Sequence, residues 1–204
     1  MLTEPSPELR LFLRRLPHVR RALLQVLTPD SCIETSRIVH LLLKDLGLAS
    51  QVVPVEARIA NEAAARFIVE GDIQAIRERR NGSYIVIVGA PGPAAPGRWA
   101  GHLAVHCEGV LIDASLDQAS RPQHGIHIPE PWVVRVPRDF LRDGGRSITR
   151  IPGLLVEHVC RPDNTSYLCK PGWHQALLLM PLAQQALLRA SSSDRDDSGW
   201  RAAA

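Results

Sequence analysis

Residues 99–118 read WAGHLAVHCEGVLIDASLDQ. On either side of Glu108-Gly109 the residues alternate as in two half-buried strands, and a two-residue turn joins them. With that turn, Cys107 faces Val110, Ala104 faces Asp113 and His102 faces Ser115. Side chains alternate along a strand, so His102, Ala104, His106, Leu111, Asp113 and Ser115 project from one face. His102 and Asp113 become diagonal neighbours, with backbones about 7–8 Å apart, close enough for an imidazole to meet a carboxylate. An antiparallel hairpin at the centre of the chain argues for a sheet built from hairpins, not from alternating βαβ units.

Upstream, residues 28–50, TPDSCIETSRIVHLLLKDLGLAS, carry the strongest helix signal. Ser31 opens an S-x-x-E capping box with Glu34, apolar residues follow at helical spacing to Leu46, and Gly47 is the stop. Cys32 falls in the first turn. Before it, residues 8–27 show a helical pattern that Pro17 is expected to split. Gln51–Ile59 reads as a strand, placed at a sheet edge by Pro54. A helical stretch near Asp72–Arg80 ends at Asn81-Gly82, SYIVIVGA (83–90) is a second strand, and PGPAAPGR (91–98) is a loop. Further strands fit Trp132–Val136, Gly153–Arg161 and Thr165–Lys170, the last two forming a hairpin around Pro162-Asp163-Asn164. Residues 173–190 form a closing amphipathic helix, and residues 191–204 read as a disordered tail after a single domain spanning 1–190. The order is helices, then a mainly antiparallel sheet, then a helix: an α+β pattern.

Composition narrows the function. The 204 residues are 45% hydrophobic and 22% charged, enough for a packed core. Lys and Arg number 24 against 21 Asp and Glu, and only Lys44 and Lys170 are lysines, so the formal charge of +3 is an arginine excess. It forms no concentrated patch and no recognisable module, so no nucleic acid partner is expected. No apolar run approaches the ~18 residues of a membrane span, and the N-terminus lacks the pattern of a secretory signal, so a cytoplasmic location is expected. The four cysteines contain no C-x-x-C pair and read as separate thiols, although Cys160 and Cys169 would flank the second hairpin. His102 and His106 stand about 13 Å apart along a strand, too far to share an ion. His158 and Cys160 share a strand face, but no recognised ligand spacing supports them, and no metal is expected. GAPG (89–92) lacks the Lys-Ser/Thr ending of a phosphate loop, so no nucleotide cofactor is expected either.

The chemistry centres on Cys32. At a helix start the unpaired N–H groups and the dipole favour an anion, which activates a thiol and can stabilise an oxyanion. A His–Asp pair on the hairpin supplies a base with its orienting acid, completing a nucleophile, base and acid in the order Cys32, His102, Asp113. The plainer alternatives are a small buried cysteine and a polar sheet face.

These segments, SCIETSRIVHLLLKDLGLASQVVPV, GRWAGHLAVHCEGVLIDASLDQ and the closing YLCKPGW, resemble the transglutaminase-like branch of the papain-type cysteine fold. Arylamine N-acetyltransferases and bacterial transglutaminase-like cysteine peptidases belong to that branch. The resemblance covers about half the chain, and implies Cys32 as nucleophile, His102 as general base and acid, and Asp113 as orienting residue. The interval of 11 residues between His102 and Asp113 is shorter than in the larger members, which leaves Asp117 as the second choice of acid. Papain-like enzymes carry a glutamine upstream of the cysteine. Gln25 stands in that place and reads equally as a surface residue. Trp99 either walls the cleft or packs in the core. The resemblance implies thiol-dependent acyl chemistry without a cofactor, on a protein, peptide or small-molecule amide or thioester. A catalytically inactive binding module on the same fold is the alternative, and an exported effector would keep the triad while changing the location.

Overall fold

The computed structural model describes residues 4–28, 31–89 and 99–193. The loop read at 91–98 and the tail beyond Ser193 lie outside the described residues. Five α-helices and seven strands make an α+β fold among those residues. The order is α1 (Pro7–Leu23), α2 (Cys32–Asp45), β1 (Ser50–Asn61), α3 (Glu62–Glu70), α4 (Ile73–Arg77), β2 (Ile85–Val88), β3 (His102–Cys107), β4 (Val110–Asp113), β5 (Trp132–Arg135), β6 (Arg146–Ile151), β7 (Leu154–Cys160) and α5 (Pro171–Ser193). None of these helices is long and apolar enough to cross a membrane.

The sheet is antiparallel throughout, in the order β5-β4-β3-β1-β7-β6, with β2 pairing β1 beyond the end of β3. It curls until its two edges meet: Ser147 of β6 donates its hydroxyl to the Arg135 carbonyl of β5 at 3.5 Å. The result is a nearly closed barrel. Alternation along each strand then separates two cores. Inside lie Val53, Val55, Ala57 and Ile59 of β1 with Ala104, Leu111, Trp132, Val134, Val156 and Cys160. Outside, Val52, Leu103, Val105, Val110 and Ile112 pack against the apolar stripes of α1 and α2 and the small residues Ala176 and Ala183 of α5. The β3–β4 turn is built as its sequence demands. Glu108 and Gly109 have φ of 50° and 74°, the left-handed pair of a type I′ turn, and Cys107 stands opposite Val110.

Several expectations are corrected. Pro17 does not split α1, which runs through it. A proline inside a helix costs about 3 kcal/mol, but Leu9, Phe12, Leu13, Leu16, Val19 and Leu23 are all buried on one stripe, at about 1.5–3 kcal/mol each. Pro54 is not at an edge, since β1 is the most central strand. Its carbonyl accepts from the Arg161 N–H at 2.9 Å, just past the end of β7, so the ring forgoes one reciprocal bond at the end of a ladder. Residues 165–170 form no strand: Ser166–Cys169 is a 3-10 turn, and β7 pairs instead with β1 and β6. Cys160 is consequently buried in the barrel while Cys169 is exposed, so they are not neighbouring core thiols, and all four cysteines are free. Strand β6 and helix α3 were not anticipated. α5 reaches Ser193, three residues into the segment read as a tail.

Candidate active site

Cys32 is the first residue of α2, at the end of the sheet where β3 begins. The anticipated capping box does not form. The Ser31 hydroxyl makes no bond to the helix N–H groups and lies 3.5 Å from Thr35 Oγ1. The Glu34 carboxylate is turned away, against Gly172 in the first turn of α5, where a negative charge is favourable. The first-turn N–H groups of α2 have no acceptor within their own helix. Arg37, one turn further on, stacks over Trp173 at 4.4 Å and donates to its carbonyl, tying α2 to the start of α5.

His102 opens β3 with its side chain toward the barrel interior, and Asp113 closes β4 on the same side. The His102 Nε2–H donates to Asp113 Oδ2 at 2.6 Å, with both residues buried. The Cys32 thiol lies close enough to the same imidazole to act on its charge, and Nδ1 is the nitrogen that Asp113 leaves free. The sequence-predicted nucleophile, base and acid are thus brought together. Gly89 fits closely over the base. It has φ of +71°, and a Cβ there would stand 2.7 Å from the His102 backbone nitrogen and 2.6 Å from the Val55 carbonyl oxygen.

The electrostatics follow from this burial. Removal from water by itself pushes the His102 imidazolium down, but the Asp113 charge and hydrogen bond, and then the Cys32 sulfur, outweigh it and hold the group up to about 10. Burial likewise disfavours the Asp113 carboxylate. The His102 charge and hydrogen bond, with His158, overcome this and hold it well below the usual carboxylate range. Oδ1 of Asp113 accepts from the Ser115 N–H at 3.2 Å and lies 3.5 Å from its hydroxyl.

Cys32 and His102 line a cleft of about 670 Å³, whose walls include Val86–Gly89, Trp99, Ser115–Leu116, Gln118, Arg121 and Lys170. Trp99 therefore stands in the wall. Its indole N–H donates to Asn164 Oδ1 at 2.7 Å, and its ring meets Tyr167 edge-on at 5.5 Å. Tyr167 meets Trp173 at 5.1 Å, so an aromatic ladder runs from the cleft wall to Arg37 of α2.

Other candidates fall elsewhere. Gln25 is exposed after the end of α1 and lines a separate groove between α1 and α5, so it cannot donate to an oxyanion at Cys32. Asp117 faces the buried Arg20, 3.4 Å away, and not His102. His106 lies toward the far end of β3, opposite Gln51 and Leu111. Arg121 lines the cleft, whereas His124 stacks on Tyr84 at 3.8 Å. Among the described residues, no group of three His, Cys, Asp or Glu side chains is placed to hold a metal ion. Neither Ser115 nor the aromatic ladder carries a sequence signal for this site, and His158 stands out in the sequence only as a possible metal ligand beside Cys160.

No family model, curated protein or solved structure matches this chain.

Proposed function

We propose that this chain is a thiol-dependent acyl-transfer enzyme, with Cys32 as nucleophile, His102 as general base and acid, and Asp113 as the orienting carboxylate. One observation carries the reading: a buried imidazole holds Asp113 at 2.6 Å through one nitrogen and lines the same cleft as Cys32, whose sulfur acts on its charge. A helix bearing the cysteine at its start, packed on an antiparallel sheet that presents a histidine and then an aspartate, also supports the transglutaminase-like arrangement of the papain type.

In this reading His102 Nδ1 already holds the proton taken from Cys32 Sγ, in keeping with an imidazolium held up to about 10, and the thiolate attacks the carbonyl carbon of an amide or thioester. A C–S bond forms, and the carbonyl electron pair moves onto oxygen. The N–H of Cys32 at the helix start faces that oxyanion. As the intermediate collapses, His102 returns its proton to the departing amine or thiol, leaving an acyl-cysteine. Water or an acceptor amine then attacks, His102 takes its proton, and Cys32 leaves as the thiolate, which restores the starting pair. Asp113 keeps Nε2–H directed inward throughout, so Nδ1 stays turned to the sulfur. With water as acceptor the enzyme is a peptidase or amidase, the simpler case, and with an amine it is an acyltransferase.

The test uses the four free thiols as internal controls. Cys107 and Cys160 are buried, and burial pushes each up to about 11, so neither competes at neutral pH. Exposed Cys169 is the reference. At pH 7, iodoacetamide should modify Cys32 at least about tenfold faster than Cys169, and His102→Ala should remove that advantage. Intact mass after exposure to a panel of acyl donors should then show one stable adduct on Cys32. Equal labelling of Cys32 and Cys169 would instead mean an idle thiol, and a binding module on this scaffold.

A further inference from the structure

Deeper in the barrel, behind the carboxylate, lies a histidine that the proposed reaction does not use. His158 sits on β7, opposite Ala57 of β1 and Ser147 of β6. It is fully buried. Its inward-facing neighbours on the strand, Val156 and Cys160, are apolar core residues. The sheet order separates β7 from β4 by two strands, but the curl of the barrel brings His158 Nε2 across the interior to 3.6 Å from Asp113 Oδ2. Neither ring nitrogen of His158 has a hydrogen-bond partner within normal distance. A buried imidazole with both nitrogens unmatched is an expensive way to fill a space that a leucine would fill well.

We propose that His158 is a positioning residue for the same site: carrying its proton on Nε2, it directs that N–H at Asp113 Oδ2 and locks the carboxylate toward His102. The donor count supports this. Oδ1 is met by the N–H and hydroxyl of Ser115, and Oδ2 by His102 at 2.6 Å, with His158 Nε2 the next nitrogen to it at 3.6 Å. Turning the carboxylate about its Cβ–Cγ bond would then disturb contacts at both oxygens. Without His158, only the His102 and Ser115 bonds hold the carboxylate against that turn. The inference rests on the assignment of Asp113 as orienting acid, but its main readout does not require turnover.

Long-range proton–nitrogen spectra of the wild-type protein should show His158 carrying a proton on Nε2. A bare Nε2, with the proton on Nδ1, would overturn the proposal without any variant being made. The His102 Nε2–H, in its short bond to Asp113, should give a sharp far-downfield proton signal. That signal should persist in His158→Gln, whose amide can still donate, and should broaden or vanish in His158→Leu while the dispersed amide spectrum remains native. Iodoacetamide modification of Cys32 should slow about tenfold in His158→Leu and recover to within about threefold in His158→Gln, a loss on the scale seen when the outer partner of a metal-ligating histidine is removed. A His158→Leu protein that keeps the signal and the wild-type labelling rate would show that residue 158 only fills space. If wild-type Cys32 labels no faster than Cys169, acyl transfer fails as a reading, while the spectra still decide what His158 does to Asp113.

Discussion

Asp113 is the residue on which the site turns, because it is a wholly buried charge whose hydrogen-bond partners, His102 and Ser115, both donate to it. His102 supplies the strongest of these, at 2.6 Å. Replacing Asp113 by Asn preserves shape but removes the charge that opposes the burial of His102. With that charge gone, burial pulls the imidazolium down, opposed by Cys32 alone. In Asp113→Asn the His102 midpoint, followed by the ring carbon protons, should fall from about 10 to near or below the ordinary value of about 6.5. A midpoint that stayed high would mean that something other than Asp113 holds the charge. The pairing of His102 with Asp113 was legible in the sequence because a two-residue turn fixes register locally, and register fixes which side chains share a face. His158 was not legible as a partner of Asp113. Its approach depends on the curvature of the whole sheet, which no short window of sequence records.

Elements were legible where a local preference and the tertiary packing agree, and were misjudged where packing prevails. The Glu-Gly turn is of the first kind. Thr165–Lys170 is of the second: a strand-like run becomes a 3-10 turn because Tyr167 is held between Trp99 and Trp173. The capping box failed similarly, since Glu34 stands against Gly172 in the first turn of α5 and not over its own helix start. Pro17 poses the sharpest conflict. The helix continues through it because six apolar residues of α1 are buried beneath and beyond it. The proline is therefore a tolerated cost, and Pro17→Ala should stabilise the protein by about 1–3 kcal/mol after allowance for the looser unfolded chain. Urea unfolding reads this directly as a higher midpoint with unchanged slope. A lower midpoint would show that Pro17 is needed to seat α1 against α5.

At the scale of the molecule, the curled sheet places an ion pair inside a nearly closed barrel, and that placement links stability to pH. Asp113 is depressed in the folded state, so its contribution is present above the unfolded carboxylate value of about 3.9 and is lost as pH falls through the lower folded value. His102 is raised to about 10, so its contribution is complete below the unfolded value of about 6.5 and disappears as pH climbs through the folded one. Both statements describe one interaction, counted once. Its stabilisation should form a plateau between about pH 4 and 6.5, then decline steadily toward pH 10. The comparison protein is the double variant His102→Asn, Asp113→Asn, which keeps polar groups of similar size in both places without a titrating pair. Urea midpoints of the two proteins, measured from pH 4 to 10, should differ most across the plateau and converge at the alkaline end. Other titrating groups shift both curves alike and cancel in the difference. A difference that stayed constant across that range would mean that the two buried residues carry no linked charge, and the electrostatic account of the site would fall with it.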